Sequence, residues 1–187
     1  EVTNVDISVD GGYYSSSANL SARGEYNYYG SAVFGGNDVI AATNVRLSSY
    51  DAGYYNSTGV TLWGEINNGS MDGGNDAITL TNLTESASGG YYSDSSSLTI
   101  YGDYLYGSYA AGGANDSIVV QKVTLDAEYA YVDIYSDSYY NAGDDTVRIS
   151  SLQMLGENYS AAYVSTGGGN DDVSILASLF GYLDTYL

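Results

Sequence analysis

Five aspartates recur at one place in a repeating segment of this chain. Asp38 and Asp76 close the tetrapeptides Gly35-Gly36-Asn37-Asp38 and Gly73-Gly74-Asn75-Asp76. Asp116, Asp145 and Asp171 close the variants Gly112-Gly113-Ala114-Asn115-Asp116, Ala142-Gly143-Asp144-Asp145 and Gly168-Gly169-Asn170-Asp171. Beside them runs a second set, Asn37, Asn75, Asn115, Asp144 and Asn170. A third series, Glu25, Glu65, Asp103 and Asp137, stands in the aligned segments Arg23-Gly24-Glu25, Trp63-Gly64-Glu65, Tyr101-Gly102-Asp103 and Tyr135-Ser136-Asp137. Carboxylate and amide oxygens, with the backbone carbonyls of glycine-rich turns, are hard donors that suit calcium. All fourteen residues are therefore candidate calcium ligands.

The rest of the composition narrows the chemistry. The 187 residues include no Cys and no His, which removes thiolate nucleophiles, disulfides, His-based triads and zinc sites of the usual ligand type. Twenty-three acidic residues face four basic ones, Arg23, Arg46, Lys122 and Arg148, for a formal charge of −19. Phosphate binding needs clustered Lys and Arg, so nucleic acid is excluded as a partner, and so is an anionic membrane surface. No apolar run is long enough to span a bilayer. The pairs Asp144-Asp145 and Asp171-Asp172 lie within the repeat register, whereas general acid–base work needs a pair that breaks it. The expectation is a protein that is not an enzyme.

The repeat itself has two markers. A Thr-Asn-aliphatic triplet stands at Thr3-Asn4-Val5, Thr43-Asn44-Val45 and Thr81-Asn82-Leu83, and Lys122-Val123 and Ser151-Leu152 hold its place later. The aliphatic positions are 40, 38, 40 and 29 residues apart, and the aspartates 38, 40, 29 and 26. Each unit carries three short apolar-x-apolar segments, for example Leu98-Thr99-Ile100, Ile118-Val119-Val120 and Val123-Thr124-Leu125. Period-two alternation predicts strands. The gap from the apolar residue after the aspartate to that after the Thr-Asn position is always five: Ile40 to Val45, Ile78 to Leu83, Ile118 to Val123, Val147 to Leu152. The other gaps vary, so one corner is tight and fixed and two are loops that tolerate deletion.

Three short strands per turn, a tight Asn-bearing corner and turns of 26 to 40 residues resemble the right-handed parallel β-helix of pectate-lyase-like proteins. Asn4, Asn44 and Asn82 would hold the place of that family's asparagine ladder, from which Lys122 and Ser151 depart. The Gly-Gly-Asn-Asp-x-Ile segments are similar to part of the calcium-binding repeat of RTX-type secreted proteins, without its nine-residue tandem spacing. The resemblance implies an all-β fold, a right-handed parallel β-helix or β-solenoid of about five turns with three short strands each. The turns would lie near residues 1–41, 42–79, 80–119, 120–148 and 149–175. An antiparallel sandwich is the competing fold, since short strands at regular spacing also read that way. In the β-helix Val45, Leu47, Val60, Leu62, Ile78 and Leu80 would point inward.

Stacked units would place equivalent carboxylates about 4.8 Å apart. Like charges there repel by roughly 1 kcal/mol in water and about 3–4 kcal/mol at an effective dielectric near 20. Four basic residues cannot neutralise such columns; bridging calcium ions can. The competing reading is that Gly, Asn and Asp are turn formers whose carboxylates stay solvated.

Tyr13-Tyr14, Tyr54-Tyr55 and Tyr91-Tyr92 each follow a glycine. They read as ring-on-ring columns that order a loop, or as an aromatic surface for sugar or a second subunit. Asn-x-Ser/Thr sequons stand at Asn56, Asn68, Asn82, Asn115 and Asn158, and Asn82 and Asn115 also sit in the proposed ladders. Leu176, Leu179, Phe180, Leu183 and Leu187 fall at helical spacing, so residues 176–187 form either a C-terminal cap or a sixth partial turn with its tight corner at Ser178-Leu179. A chain beginning at Glu1 fits a processed secreted protein or a trimmed one. The function expected is that of a secreted or cell-surface structural protein. It would be a calcium-stabilised solenoid that stacks end to end as a homo-oligomer into a filament, surface layer or matrix. The alternative is a carbohydrate-binding or adhesive module of a larger surface protein.

Overall fold

A computed structural model describes residues 1–27, 36–67, 73–105, 114–137, 143–179 and 181–186. Its elements are strands throughout: β1 (Val2–Gly12), β2 (Ser15–Asn27), β3 (Val39–Ala52), β4 (Tyr55–Asn67), β5 (Ala77–Ser88), β6 (Ser93–Leu105), β7 (Ser117–Asp126), β8 (Tyr129–Tyr135), β9 (Thr146–Met154), β10 (Tyr159–Ser165), β11 (Asp172–Leu179) and β12 (Gly181–Tyr186). The odd strands form one six-stranded sheet in the order β1-β3-β5-β7-β9-β11, and the even strands a second in the order β2-β4-β6-β8-β10-β12. Every pairing is parallel. The chain thus alternates between the two sheets and adds one strand to each as it goes, a pattern compatible with a β-helix or solenoid. The antiparallel sandwich is excluded. No helix is long and apolar enough to cross a membrane among the described residues.

The three apolar segments of each unit lie on two strands. Leu98-Thr99-Ile100 is on β6, while Ile118-Val119-Val120 and Val123-Thr124-Leu125 share β7. What separates the latter two is a single residue with left-handed backbone. Asn4, Asn44, Asn82, Lys122 and Ser151 have φ of 54°, 55°, 57°, 53° and 57°. Two consecutive residues face outward there, and the inward set resumes one position later: Ile40 and Ala42 are buried, Thr43 and Asn44 are not, Val45 and Leu47 are buried again. That phase slip is why the spacing is five, an odd number, where uninterrupted alternation allows only even ones. Asn is among the few non-glycine residues that tolerate this conformation. The Asn side chains also bond along the stack, Asn44 Nδ2 donating to Asn4 Oδ1 at 2.9 Å and Asn82 Nδ2 to Asn44 Oδ1 at 2.8 Å.

Between the sheets lies one aliphatic core. Val45, Leu47, Val60, Leu62, Ile78 and Leu80 are all buried in it, as the alternation predicts, and the same columns continue through Leu98, Ile100, Ile118, Val120, Val132, Ile134, Val147 and Ile149. In one of these columns Leu47 pairs with Glu85 and Glu85 with Leu125, so a carboxyl stands among aliphatic side chains.

The C-terminal residues differ from the helical spacing. Leu176, Leu179 and Leu183 lie on β11 and β12, which pair with β9 and β10. Leu176 is largely exposed, and Val173, Ile175 and Ala177 continue the core instead. The register slips between Leu176 and Ala177, so this unit skips the position of Ser151 and has no corner at Ser178-Leu179. Backbone pairing to a preformed parallel edge outweighs the amphipathic pattern of so short a segment. Phe180 and Leu187 lie outside the described residues.

Candidate metal centre

The five aspartates form the expected column, and their constant register has a backbone cause. The Asp38 N–H donates to Asp76 Oδ1 at 2.8 Å, Asp76 N–H to Asp116 Oδ1 at 2.8 Å, Asp116 N–H to Asp145 Oδ1 at 2.8 Å and Asp145 N–H to Asp171 Oδ1 at 3.0 Å. The second set runs the opposite way. Asn37 Oδ1 accepts the N–H of Asn75, Asn75 that of Asn115, Asn115 that of Asp144 and Asp144 that of Asn170, at 2.8–2.9 Å. These side chains are exposed. Both columns extend the ladder into the turns preceding β3, β5, β7, β9 and β11, satisfying amides that would otherwise be orphaned.

Each aspartate keeps a second oxygen, which points at the aligned series on the even strands. Gly24, Gly64 and Gly102 make room for it: a β-carbon on any of them would overlap the side chains of Asp38, Asp76 and Asp116 respectively. Register places Ser136 and Thr166 next in that series. There a hydroxyl fills the space, Ser136 Oγ donating to Asp145 Oδ2 at 2.6 Å and Thr166 Oγ1 to Asp171 Oδ2 at 2.7 Å. These hydroxyls and glycines carry no signal of their own in the sequence, although Gly64, Gly102 and Ser136 already align beside the acidic residues.

The acidic neighbours Glu25, Glu65, Asp103 and Asp137 face the aspartate column. Gly36 N–H donates to Glu25 Oε2 at 3.1 Å, Gly74 N–H to Glu65 Oε2 at 3.1 Å and Gly143 N–H to Asp137 Oδ2 at 3.0 Å. Among the described residues Asp103 has no such bond. Both its carboxylate oxygens are buried without a partner, as are Asp38 Oδ2, Asp76 Oδ2, Asp116 Oδ2 and Asp137 Oδ1. Asp76, Asp103 and Asp116 are 2%, 0% and 2% exposed, and one oxygen from each lies within 4.8 Å of the others.

Burial first, and neighbouring carboxylates second, push Asp103 and Asp116 well above the usual carboxylate range. Burial also raises Asp76 and Glu65 to about 7, opposed by the backbone bonds each accepts, with nearby carboxylates adding to the rise. Asp137 rises to about 7 through burial and the Asp145 charge. The described cations lie elsewhere: Arg148 pairs with Asp172 at 3.0 Å, Arg23 sits over the Tyr26 ring, and Arg46 and Lys122 are exposed. A buried anion cluster without a counter-charge must take up protons or a metal. Calcium binds oxygen at about 2.3–2.6 Å, so oxygens up to 4.8 Å apart can share one ion. The donor set is all-oxygen, and it includes oxygens with no protein partner. The residues fit the group.

The tyrosine pairs behave in two ways. Tyr14, Tyr54 and Tyr92 stack at 5.5 and 5.3 Å with nearly parallel rings. Tyr13 and Tyr91 stand edge-on to that column, at 86° and 83° to Tyr14 and Tyr92, and remain 79% and 78% exposed. Gly53 lies between them in the stack, and the three line an open cavity of about 500 Å³ with Asp51 and Tyr54. Among the sequons, Asn56 is buried, its side chain accepting from Ser16 Oγ and the Ala52 N–H and donating to Ser88 O and Asp94 Oδ1, which leaves no room for a glycan. Asn82 and Asn115 act in ladders, Asn158 is exposed, and Asn68 lies outside the described residues. Comparison with protein-family models, with curated proteins and with solved structures gave no match.

Proposed function

We propose that this chain is a secreted structural protein, a right-handed parallel β-helix stiffened by calcium. The observation that carries the reading is the buried triad Asp76, Asp103 and Asp116, which holds four unpartnered oxygens and brings one oxygen of each residue within 4.8 Å of the others, where no basic side chain reaches. A bound ion bridges successive units and replaces mutual repulsion with attraction, so it stiffens the stack along its length. Extracellular fluid, in which calcium modules work at weak affinity, suits such a site. Further units stack at the ends. Val2, Val5, Ile7, Val9, Leu20 and Ala22 at one end, and Val173, Ile175 and Ala177 at the other, are only partly buried, and each end presents an unpaired parallel edge. A second copy docking there gives a filament or layer. A calcium titration followed by circular dichroism and light scattering tests this. Stabilisation with growing scatter supports both parts, stabilisation without scatter leaves a calcium-bound monomer, and no response to calcium removes the reading.

A second reading, a carbohydrate-binding or adhesive module, is favoured by Tyr13 and Tyr91. Stacking accounts for Tyr14, Tyr54 and Tyr92, whereas Tyr13 and Tyr91 touch that column only edge-on and stay 79% and 78% exposed. Binding on a glycan array that is lost in Tyr13→Ala and Tyr91→Ala separates this role from the structural one.

A further inference from the structure

The aspartate column is not uniform. In the three units with glycine opposite, at Gly24, Gly64 and Gly102, the outer oxygen of Asp38, Asp76 or Asp116 is buried without a partner. In the two units with a hydroxyl opposite, at Ser136 and Thr166, the outer oxygen of Asp145 or Asp171 accepts a hydrogen bond. The inner oxygens of Asp76, Asp116, Asp145 and Asp171 all accept the amide of the preceding aspartate in the column, whichever group stands opposite. One side-chain position therefore separates the two states of the carboxylate.

We infer that this position selects the counter-group of each unit: a hydroxyl closes the site, and glycine leaves it open to a divalent, oxygen-coordinated cation. The inference rests on the calcium reading and deepens it by naming the residues that set where ions bind. The hydroxyl works twice. It occupies a lone pair that would otherwise ligate, and its β-carbon fills the volume the ion needs. The cluster of Asp76, Asp103 and Asp116 lies wholly in the glycine region, with Gly64 and Gly102 against two of its members. The next unit aligns Asp116, Asp137 and Asp145, with Asp116 Oδ2 and Asp137 Oδ1 still unpartnered and the Ser136 hydroxyl on Asp145, and these three do not close to within 4.8 Å of one another as Asp76, Asp103 and Asp116 do. In the last unit register puts Gly167 opposite Asp137, so the facing acid is missing and Thr166 closes a position that could not ligate well.

The experiment counts calcium per chain by equilibrium dialysis and elemental analysis, with melting in chelator as a second readout. Wild type, Ser136→Gly, Ser136→Ala and Gly64→Ser are compared. Ser136→Gly is expected to gain an additional ion and a larger chelator-induced fall in melting temperature. Ser136→Ala removes the hydroxyl but keeps the β-carbon, and is expected to gain none. Gly64→Ser, the converse change, is expected to bind calcium several-fold more weakly and to respond less to chelator. No added ion in Ser136→Gly, or an equal gain in Ser136→Ala, overturns the inference while wild-type binding keeps the calcium reading intact. If Ser136→Gly does not fold, Gly64→Ser decides, and unchanged affinity there overturns it. A wild-type chain that binds no calcium removes the underlying reading and the inference with it.

Discussion

Gly102 and Asp116 share one space: a β-carbon on the glycine would overlap the outer carboxylate oxygen of the aspartate, and that oxygen has no protein partner. The glycine is there for what it leaves vacant. Its counterpart Ser136 fills the same space and bonds Asp145.

Chelation is expected to lower the melting temperature. Binding to the folded state alone stabilises by about 2.7 kcal/mol at a hundredfold excess of ion over its dissociation constant. The double variant Asp76→Asn, Asp116→Asn keeps the Oδ1 acceptors of the ladder and removes two charges from the cluster, so its melt should respond much less to chelator. Differential scanning calorimetry with and without chelator measures both. Identical wild-type melts leave turn chemistry as the reason for the aspartates.

The sign of the pH dependence should reverse with calcium. Asp76 and Glu65 have folded values near 7, above their ordinary 3.8 and 4.5. Between those limits the folded chain without metal holds protons that the unfolded chain has released, so its stability falls as pH rises through that window. Calcium needs the deprotonated ligands, so its contribution grows over the same window. Urea midpoints across the window, in chelator and in calcium, should slope in opposite directions.

Glu85→Gln is expected to stabilise the fold at alkaline pH and to be nearly neutral at acid pH. Glu85 is buried in the aliphatic column between Leu47 and Leu125, and burial raises it to about 8 from 4.5 despite hydrogen bonds from Thr58, Ser97 and Val60. The penalty is absent below the unfolded value and complete above the folded one. At about 1.4 kcal/mol per pKa unit it reaches on the order of 5 kcal/mol. Gln keeps an oxygen for the Ser97 N–H, bonded to Glu85 Oε2 at 3.2 Å, and cannot ionise. Denaturant curves on either side of the window test this, and equal effects of the variant at both would refute it.

Lys122→Asn should raise stability by about 1 kcal/mol, since Lys tolerates left-handed backbone less well than Asn. Lys122 has φ of 53° and an exposed side chain, in the column of Asn4, Asn44 and Asn82. The new amide would extend that ladder by a unit. A shift in urea midpoint at constant m-value checks it, and no shift would mean that the conformation carries no strain there.

The strand pattern and the core were legible in the sequence because they depend on near neighbours. Period-two alternation set the inward faces of β3 to β9, and the invariant five-residue gap marked the corner before any φ was known. The repeat also placed Asp38, Asp76, Asp116, Asp145 and Asp171 in one column. What each carboxylate does there was not legible. The Asp76 side chain bonds the amide of Asp38, 38 residues away, and loses its other oxygen to burial against Gly64. Asn56 reads as a sequon and is a buried bridge between strands; Leu176 reads as a helical apolar face and is exposed on a strand. The reason is the same in each case. Alternation and turn chemistry are properties of consecutive residues. A lone pair is satisfied or left open by groups that only stacking brings within reach, so the chemistry of the carboxylates was decided when the units packed.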